Sequence, residues 1–167
     1  MYDELTRNDI KKMREEIQYR KVVVRKEALE AVKEARAHGD LSENFEYHAA
    51  KKDKNKNESR IRYLERMIKT AHIIEDTSGS DEIGLFNTVT LYMEEDDEEE
   101  TYKLVTTVRG NSLQGRISIE SPLGRAILGH KTGDRVYVAV NEKTGYYVTI
   151  RRIEKTTDDG SDTLRSY

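Results

Sequence analysis

The chain has 167 residues, of which 37% are charged and 35% hydrophobic, and it contains one proline and no cysteine. This size allows one or two small soluble domains, and the lack of cysteine excludes disulfides, thiolate nucleophiles and cysteine-based metal sites. The sequence shows neither an apolar run long enough to span a bilayer nor a signal-peptide pattern. These features predict a cytoplasmic protein that has no membrane contact.

Charge is distributed unevenly along the chain, although the net charge is only -3. Residues 10–70 carry 17 Lys and Arg against 11 Asp and Glu, whereas the remaining residues carry 12 against 21. A basic segment can approach nucleic acid, while an acidic one is repelled by it and suits a protein contact or plain solubility. The two parts of the chain are therefore expected to face different partners.

Helical periodicity dominates the first part of the chain. Thr6, followed by Asp9, indicates a helix start, and this first helix is expected to run to about His38. Gly39 breaks the pattern, and a second helix is predicted from about Ser42 to Ile73. The apolar edge of the first helix has coiled-coil spacing and consists of Ile10, Met13, Ile17, Val24 and Ala31. The corresponding edge of the second helix consists of Tyr47, Ala50, Ile61, Leu64, Ile68 and Ala71.

Two long helices joined by so short a link must fold back on each other. Residues 1–76 are therefore predicted to form an antiparallel coiled-coil hairpin, about 45 Å long at about 1.5 Å per residue, with its tip at residues 39–44. Polar residues interrupt both apolar edges, at Arg20, Glu27, Lys54 and Asn57. Such positions usually fix register at some cost in stability. A structural spacer hairpin would explain the apolar pattern completely, but it would not explain the tip.

After a Ser/Gly/Asp-rich linker at residues 77–82, the periodicity changes from helical to alternating. Residues 83–155 are predicted to form a small, mostly antiparallel α+β domain with a short helix at Leu123–Leu128. Its candidate strands are Thr88–Met93, Thr101–Thr106, Gly115–Ile119, Arg135–Val140 and Tyr146–Ile153. The acidic run Glu94–Glu100 is expected to be a solvated loop, and residues 156–167 are expected to be a disordered tail.

The predicted tip carries a motif that composition does not explain. Residues 35–51 read Ala-Arg-Ala-His-Gly-Asp-Leu-Ser-Glu-Asn-Phe-Glu-Tyr-His-Ala-Ala-Lys, and this segment closely resembles the hairpin tip of the Gre transcript cleavage factors. The resemblance continues in Ser59-Arg60-Ile61, in Ser121-Pro122-Leu123-Gly124-Arg125-Ala126 and in Gly133-Asp134-Arg135-Val136, so it covers nearly the whole chain. Phe45 departs from the family pattern, where alanine is usual. The sequence also lacks a Pro-x-Gly turn near residues 141–145 and has an extra C-terminal tail.

Asp40 and Glu43 are the acidic residues of this motif. On spacing alone, two carboxylates three residues apart at a helix start favour a capping role, because they accept from free N–H groups and complement the helix dipole. The resemblance implies a different role, in which both acids enter the secondary channel of RNA polymerase and help to hold a catalytic Mg²⁺. Two carboxylates are too few for a private Mg²⁺ site, since that ion requires six ligands. His38 and His48 flank the tip and are expected to be surface histidines.

Lys52, Lys56 and Arg60 recur every four residues along the second helix. From the sequence alone, a solvated helix face and a phosphate-binding stripe are both open interpretations. The resemblance implies that these three residues contact extruded RNA.

The second domain resembles the FKBP-like domain of Gre factors, which implies that it docks on the polymerase. The matching docking loop comprises Ser121, Pro122, Leu123 and Gly124, although ordinary turn chemistry before a short helix explains the same residues. Prolyl isomerase activity does not follow from the fold, because fold does not determine function.

Taken with the residues, the resemblance implies a monomeric bacterial transcription elongation factor. Its partners would be RNA polymerase and backtracked nascent RNA. The factor would not itself be an enzyme but would stimulate the intrinsic RNA cleavage of the polymerase. It would have no cofactor of its own and would share Mg²⁺ with the polymerase active site. Two alternatives stay open: a Gre-like secondary-channel inhibitor and a stand-alone coiled-coil adaptor.

Overall fold

The computed structural model describes residues 3–39 and 44–166. These residues form two compact units. The hairpin unit comprises residues 8–71, and the sheet unit comprises residues 4–7 together with residues 72–166. The sheet unit begins before the linker predicted at residues 77–82, because His72–Ile73 forms a strand (β2) that pairs in parallel with Glu4–Leu5 (β1).

The first arm of the hairpin is helical from residue 7 to residue 37 but is not uniformly α-helical. It consists of α1 (Arg7–Tyr19), one π-helical segment (Arg20–Val24) and α2 (Arg25–Ala37). The second arm is α3 (Phe45–Lys69), which ends four residues before the predicted Ile73. This confirms the predicted pair of long antiparallel helices, whereas the π-helical segment has no signature in the sequence pattern.

Apolar burial in the hairpin unit is limited to a few positions. The buried apolar residues are Met13, Ala35, Ile61, Leu64 and Met67. Ile10, Ile17 and Ile68 are only half-buried, and Ala31 is exposed. Val22 and Leu29 in the first arm are 57% and 47% exposed. The apolar contact is therefore concentrated away from the middle of the hairpin, where polar residues take its place.

The sheet unit contains a five-stranded mixed sheet with the order β5-β4-β3-β7-β6. Its strands are β3 (Thr88–Met93), β4 (Glu98–Val105), β5 (Arg116–Ser118), β6 (Arg135–Ala139) and β7 (Gly145–Glu154). All neighbouring pairs are antiparallel except β4 and β5, which are parallel. This confirms the predicted α+β class with a mostly antiparallel sheet.

One face of this sheet is covered by α4 (Pro122–Ile127) and the segment that precedes β3. Alternation places Val89 and Leu91 of β3 and Val148 and Ile150 of β7 on the covered face, and all four are fully buried. Burial of this kind stabilises by about 25 cal/mol per Å² of apolar surface. The packed core is therefore the main source of stability in the sheet unit.

The acidic run was expected to be a loop, and the structure corrects its second half. Residues 94–97 turn, but Glu98, Glu99 and Glu100 begin β4 and pair with β3. This part of β4 lies beyond the end of β5, so it is an edge, and charged side chains on an edge strand discourage pairing with other chains. Glu94 forms a two-pronged ion pair with Arg135, with N···O distances of 2.6 and 3.0 Å.

The predicted disordered tail is ordered up to residue 166. Thr156 donates its hydroxyl to the Phe86 carbonyl at 2.7 Å, and Asn87 donates its side-chain amide to the Thr156 carbonyl at 3.1 Å. Further on, the backbone N–H of Arg165 donates to the Val108 carbonyl at 2.7 Å. The tail segment, residues 156–166, thus packs on the sheet unit through contacts with residues more than fifty positions earlier in the chain. Its polar, glycine-containing sequence gives no local signal of such long-range contacts.

Candidate functional site: the hairpin tip and the docking loop

The predicted acidic pair lies between α2 and α3 in the sequence, where the two arms of the hairpin are joined. Asp40 and Glu43 lie outside the residues that the structure describes. What is described is the base of the tip: the end of α2, His38 and Gly39 on one side and Asn44 with the start of α3 on the other. Within residues 3–39 and 44–166, no three His, Asp or Glu side chains group in a way that could hold a metal ion.

Asn44 joins the two helix ends. Its side-chain oxygen accepts from the Tyr47 N–H at 3.0 Å, which caps α3. Its side-chain amide donates to the Ala35 carbonyl in the last turn of α2 at 2.6 Å. One residue therefore satisfies a free N–H of α3 and adds a second hydrogen bond to an α2 carbonyl that also accepts from the His38 N–H. The four residues 40–43 are attached between ends that this amide holds together.

Gly39 meets the backbone requirement on the other side of the tip. Its φ of +140° lies in a region that residues with a Cβ rarely adopt, and a Cβ built there would meet no atom within 4 Å. The requirement is thus conformational rather than steric. Glycine at this position therefore allows a backbone conformation after α2 that other residues rarely adopt.

Polar and aromatic contacts link the two arms just below the tip. Arg36 lies 5.5 Å from the centroid of the Tyr47 ring and donates to its hydroxyl at 3.4 Å. This hydrogen bond is the main cause that holds the pKa of Tyr47 below its ordinary value. His38 Nδ1 lies 3.3 Å from a Glu46 carboxylate oxygen, and both side chains are exposed. His38 therefore has a carboxylate neighbour. Phe45 is 85% exposed and so takes little part in the contact between the arms.

The predicted basic stripe needs correction at one position. Lys52 and Lys56 are exposed on α3, as a phosphate-binding face requires. Arg60 is only 7% exposed and points into the hairpin, where its Nε and Nη2 donate to the Glu16 carboxylate at 2.8 and 3.2 Å. The spacing of four residues was correct for neighbours along a helix, but α3 turns slightly more than 360° over each such step. Over eight residues, the stripe therefore runs from the surface into the seam between the arms.

Arg60 belongs to a seam cluster with Glu16, Arg20 and Asn57. Glu16 accepts from Arg20 Nε at 2.7 Å as well as from Arg60. Arg20 Nη1 donates to the Asn57 side-chain oxygen at 3.0 Å, and the Asn57 amide donates back to the Arg20 carbonyl at 3.3 Å. Arg20 and Asn57, predicted to interrupt the two apolar edges, are therefore partners across the seam.

The seam cluster also explains why the π-helical segment is tolerated. The Arg20 carbonyl accepts from the Arg25 N–H, a bond across five residues, and in addition from Asn57.

Burial alone raises the pKa of Glu16, but the hydrogen bonds and charges of Arg60 and Arg20 outweigh it and hold the pKa below its ordinary value. Glu16 is therefore ionised throughout the neutral range.

The docking-loop residues have distinct structural roles. Ser121 caps α4: its hydroxyl accepts from the Gly124 N–H at 3.1 Å and donates to the Ser118 carbonyl at 2.6 Å. Gly124 is buried, and a Cβ there would lie 2.0 Å from the Ser118 carbonyl oxygen. Leu123 is half-buried against the core, so Pro122 is the member of this loop that is exposed. Ser121 and Gly124 shape the loop that presents it.

Family models match both units of the chain. A model described as "Transcription elongation factor, N-terminal" matches residues 4–73, and one described as "Transcription elongation factor, GreA/GreB, C-term" matches residues 78–155. The chain therefore belongs to the GreA/GreB family of transcription elongation factors. Both matches end before the tail segment.

Relatives with this name are similar over most of their length. Transcription elongation factor GreA of Bacillus subtilis is 42% identical over 134 residues, which cover 80% of this chain and 85% of the relative. Transcription elongation factor GreA of Brucella anthropi is 44% identical over 135 residues, covering 80% and 86%. Among solved structures, the GreA factor homolog 1 (Gfh1) protein of Thermus thermophilus is 27% identical, with 92% of this chain and 99% of that chain covered and a TM-score of 0.42. A TM-score this low supports no argument about fold or function.

Of the residues at the tip, Asn44 is the one whose role the sequence did not reveal. It stands inside the motif, and the run of Ser, Glu and Asn offers several candidate caps. The position of the Ala35 carbonyl distinguishes Asn44, because its side-chain amide accepts from one helix and donates to the other. In the described part of the chain, no helix is long and apolar enough to cross a bilayer.

Proposed function

We propose that this chain binds bacterial RNA polymerase through the sheet unit, inserts the hairpin tip into the secondary channel and stimulates cleavage of backtracked nascent RNA by the polymerase. The observation that supports the proposal is the tip base: the Asn44 side chain links the ends of two long helices, α2 and α3, between which Asp40 and Glu43 lie in the sequence. At about 1.5 Å per residue, the 25-residue α3 alone reaches roughly 37 Å. Family membership supports the proposal independently.

In this mechanism the chain supplies carboxylates rather than a complete active site. Asp40 and Glu43 would each offer oxygen ligands, which suit Mg²⁺, at a centre whose other ligands come from the polymerase and the RNA. A bound Mg²⁺ activates water or stabilises the leaving oxygen in phosphodiester cleavage. The task of this chain is to present both carboxylates, and the Asn44 bridge connects the ends of α2 and α3 on either side of them in the sequence. On this proposal the chain is not itself a nuclease.

Lys52 and Lys56 are proposed to contact the extruded RNA. Both are exposed on α3, on the arm that leads away from the tip. Each phosphate contact made by such a lysine contributes to affinity and makes it depend on salt. Arg60 is left out of this contact because its guanidinium pairs with Glu16 inside the hairpin.

The central experiment adds purified protein to a stalled, backtracked elongation complex and follows RNA length on a gel. Wild type is expected to shorten the RNA. An Asp40→Asn, Glu43→Gln protein should keep its helix content and still compete with wild type for the polymerase, while stimulated cleavage falls by orders of magnitude, because charge and not size attracts the metal. The matched control is Asp53→Asn, which removes one exposed carboxylate from α3 two turns from its start.

The same assay separates the rival functions. A folded Asp40→Asn, Glu43→Gln protein that cleaves as fast as wild type would refute the carboxylate mechanism. If wild type instead occupies the polymerase, slows elongation and leaves the RNA intact, the chain is a secondary-channel inhibitor. Failure to associate with the polymerase at all would leave the coiled-coil adaptor.

A second experiment tests docking. Pro122→Glu should weaken polymerase binding without unfolding the sheet unit, because Pro122 is exposed at the first turn of α4 and a carboxylate is accepted there. Lys143→Gln, an exposed change in the turn between β6 and β7, is the control. Equal binding by Pro122→Glu and wild type would place the docking surface elsewhere.

The RNA contact is tested with Lys52→Glu, Lys56→Glu. This protein should bind polymerase normally but cleave deeply backtracked complexes less well, and the salt dependence of that step should become weaker. Lys26→Glu, an exposed change on α2, provides the comparison. Unchanged cleavage at every salt concentration would show that both lysines are solvent-exposed surface residues that do not contact the RNA.

A further inference from the structure

Three cationic side chains of the sheet unit converge beneath the tail segment. They are Lys103 in β4, Arg109 in the 3-10 turn Thr107–Arg109, and Arg116 in β5. Their side chains are 20%, 0% and 11% exposed. Cations this well shielded from water require anionic partners to offset the cost of desolvation. We refer to these three residues as the cationic site.

Arg109 is the most deeply placed member of the cationic site. Its two terminal nitrogens donate to the two carboxylate oxygens of Asp158 at 2.5 and 2.8 Å, a fork-to-fork geometry that is specific for a planar carboxylate. Its guanidinium carbon also lies 4.9 Å from the centroid of the buried Phe86 ring. The ring supports one face of the guanidinium. The fork is therefore held ready to receive a carboxylate.

Lys103 and Arg116 form the second half of the site. Lys103 Nζ donates to Asp162 at 3.0 Å, and the Arg116 guanidinium lies 3.8 Å from the other oxygen of the same carboxylate. Arg116 is positioned independently of the tail, since its Nε donates to the Arg109 carbonyl at 2.9 Å. The two halves of the site thus receive one carboxylate each, from residues four positions apart in the chain.

The segment between these carboxylates is shaped to deliver both. Asp158 accepts from the Gly160 N–H at 3.0 Å, and Gly160 has a φ of +77°, which closes a tight turn. Asp159, by contrast, is exposed and accepts hydrogen bonds from the N–H and hydroxyl of Ser161. These hydrogen bonds are the main cause that lowers the pKa of Asp159, and the charge of Lys103 contributes less. Three aspartates in five residues therefore divide into two that enter the cationic site and one that does not.

We propose that the cationic site is a binding site for an acidic peptide segment with two carboxylates spaced four residues apart, and that the chain's own Asp158 and Asp162 fill it in cis. The tail segment then acts as a built-in ligand that keeps acidic segments of other proteins out of the site. A free acidic segment gains access only when the cis carboxylates are weakened. The proposal does not depend on the function proposed for the hairpin.

The test uses the full-length chain and a fluorescently labelled peptide with the sequence of residues 156–166, followed by anisotropy. Binding to an Asp158→Asn, Asp162→Asn chain should be at least about tenfold tighter than binding to wild type, because each neutralised contact loses a charge-assisted hydrogen bond. The peptide is titrated to about millimolar concentration, the effective concentration of a tethered competitor. Asp159→Asn is the matched control and should behave as wild type.

A second peptide with asparagine at both positions tests whether the carboxylates are recognised. It should bind the double variant about tenfold more weakly than the acidic peptide or worse. Each of three outcomes would overturn the proposal. The two peptides could bind the double variant equally well, the acidic peptide could bind wild type and double variant equally well, or it could fail to bind the double variant.

If the double variant does not fold, the Asp162→Asn chain replaces it. Asp162 pairs with Lys103 and Arg116, which are less buried than Arg109, so the loss of its charge should be tolerated better. In that chain the Arg165 amide, which donates to Val108, should exchange with solvent about tenfold faster than in wild type, and added acidic peptide should leave this rate high while binding the chain. An unchanged exchange rate would overturn the proposal.

Discussion

The sheet unit buries thirteen apolar side chains in one cluster, whereas the described residues of the hairpin unit bury five, and these are interrupted by the charged seam cluster of Glu16, Arg20, Asn57 and Arg60. A two-helix seam is open to water along both sides, so it cannot shield a wide apolar core. The sheet, in contrast, is covered by α4 and neighbouring loops on one face. Stability in the sheet unit therefore rests on close packing, while the hairpin depends more on hydrogen-bonded charges, which respond to pH.

Removing core volume should have the largest effect, and it should be greater in the sheet unit. Leu91→Ala removes a fully buried side chain from the centre of the sheet and should cost about 3–5 kcal/mol. Leu64→Ala in the hairpin should cost about 2–3 kcal/mol, because an open seam collapses more easily around the cavity. Hydrogen exchange measured by mass spectrometry reports on each unit separately. Equal costs would contradict the contrast between the two kinds of packing.

Exposed leucine in the hairpin provides the control for those changes. Leu29→Ala, at a position 47% exposed, should alter the free energy of unfolding by less than about 0.5 kcal/mol. A loss comparable with that of Leu64→Ala would mean that this side chain is covered in solution.

The next largest loss of stability is expected when the seam cluster is broken. Glu16→Gln removes the acceptor charge from two arginines, one of them buried, and should destabilise the hairpin by about 1–3 kcal/mol. The change should leave exchange in the sheet unit unaltered. Glu15→Gln, an exposed neighbour on α1, is the matched control and should be nearly neutral. If both variants melt like wild type, the seam cluster contributes nothing to stability.

Lowering the pH should reproduce part of the loss of hairpin stability expected for Glu16→Gln. The pKa of Glu16 is held below its ordinary value of 4.5, so the stability it contributes is complete above that pH and is lost as the pH falls through its folded-state pKa. Helical circular dichroism followed during thermal melts from pH 7 to pH 3 should show the hairpin weakening below pH 4.5. In Glu16→Gln the decline should be shallower. Parallel pH profiles for the two proteins would show that other carboxylates dominate.

The smallest change in stability is expected at the tip base, where it should matter for activity. Asn44→Ala removes the cap of α3 and the bridge to Ala35, at a cost of about 1 kcal/mol. Stimulated RNA cleavage should fall more than the folded fraction does. Asn44→Asp keeps the cap but cannot donate to Ala35, so it isolates the bridge. Full activity of Asn44→Asp would mean that capping alone is sufficient.

The sequence by itself determined the two long helices, the five strands of the main sheet and their order in the chain. Apolar spacing predicted two long helices, alternation predicted five strands, and Thr88–Met93 was predicted with the bounds that the structure has. These patterns succeed because burial of one face imposes a period on the sequence, and the tip and docking motifs were sufficient to indicate the family.

Only the tertiary structure decided which polar residues are partners. Arg60 was assigned to the surface and lies in the seam with Glu16, forty-four residues earlier. Asn44 was given no role from the sequence, and its amide proved to donate to the Ala35 carbonyl. The tail segment was assigned to disorder, yet Asp158 pairs with Arg109, forty-nine residues away. In each case, the free energy of a buried charge or amide depends on a partner brought close by the fold, and periodicity along the sequence carries no information about that distance.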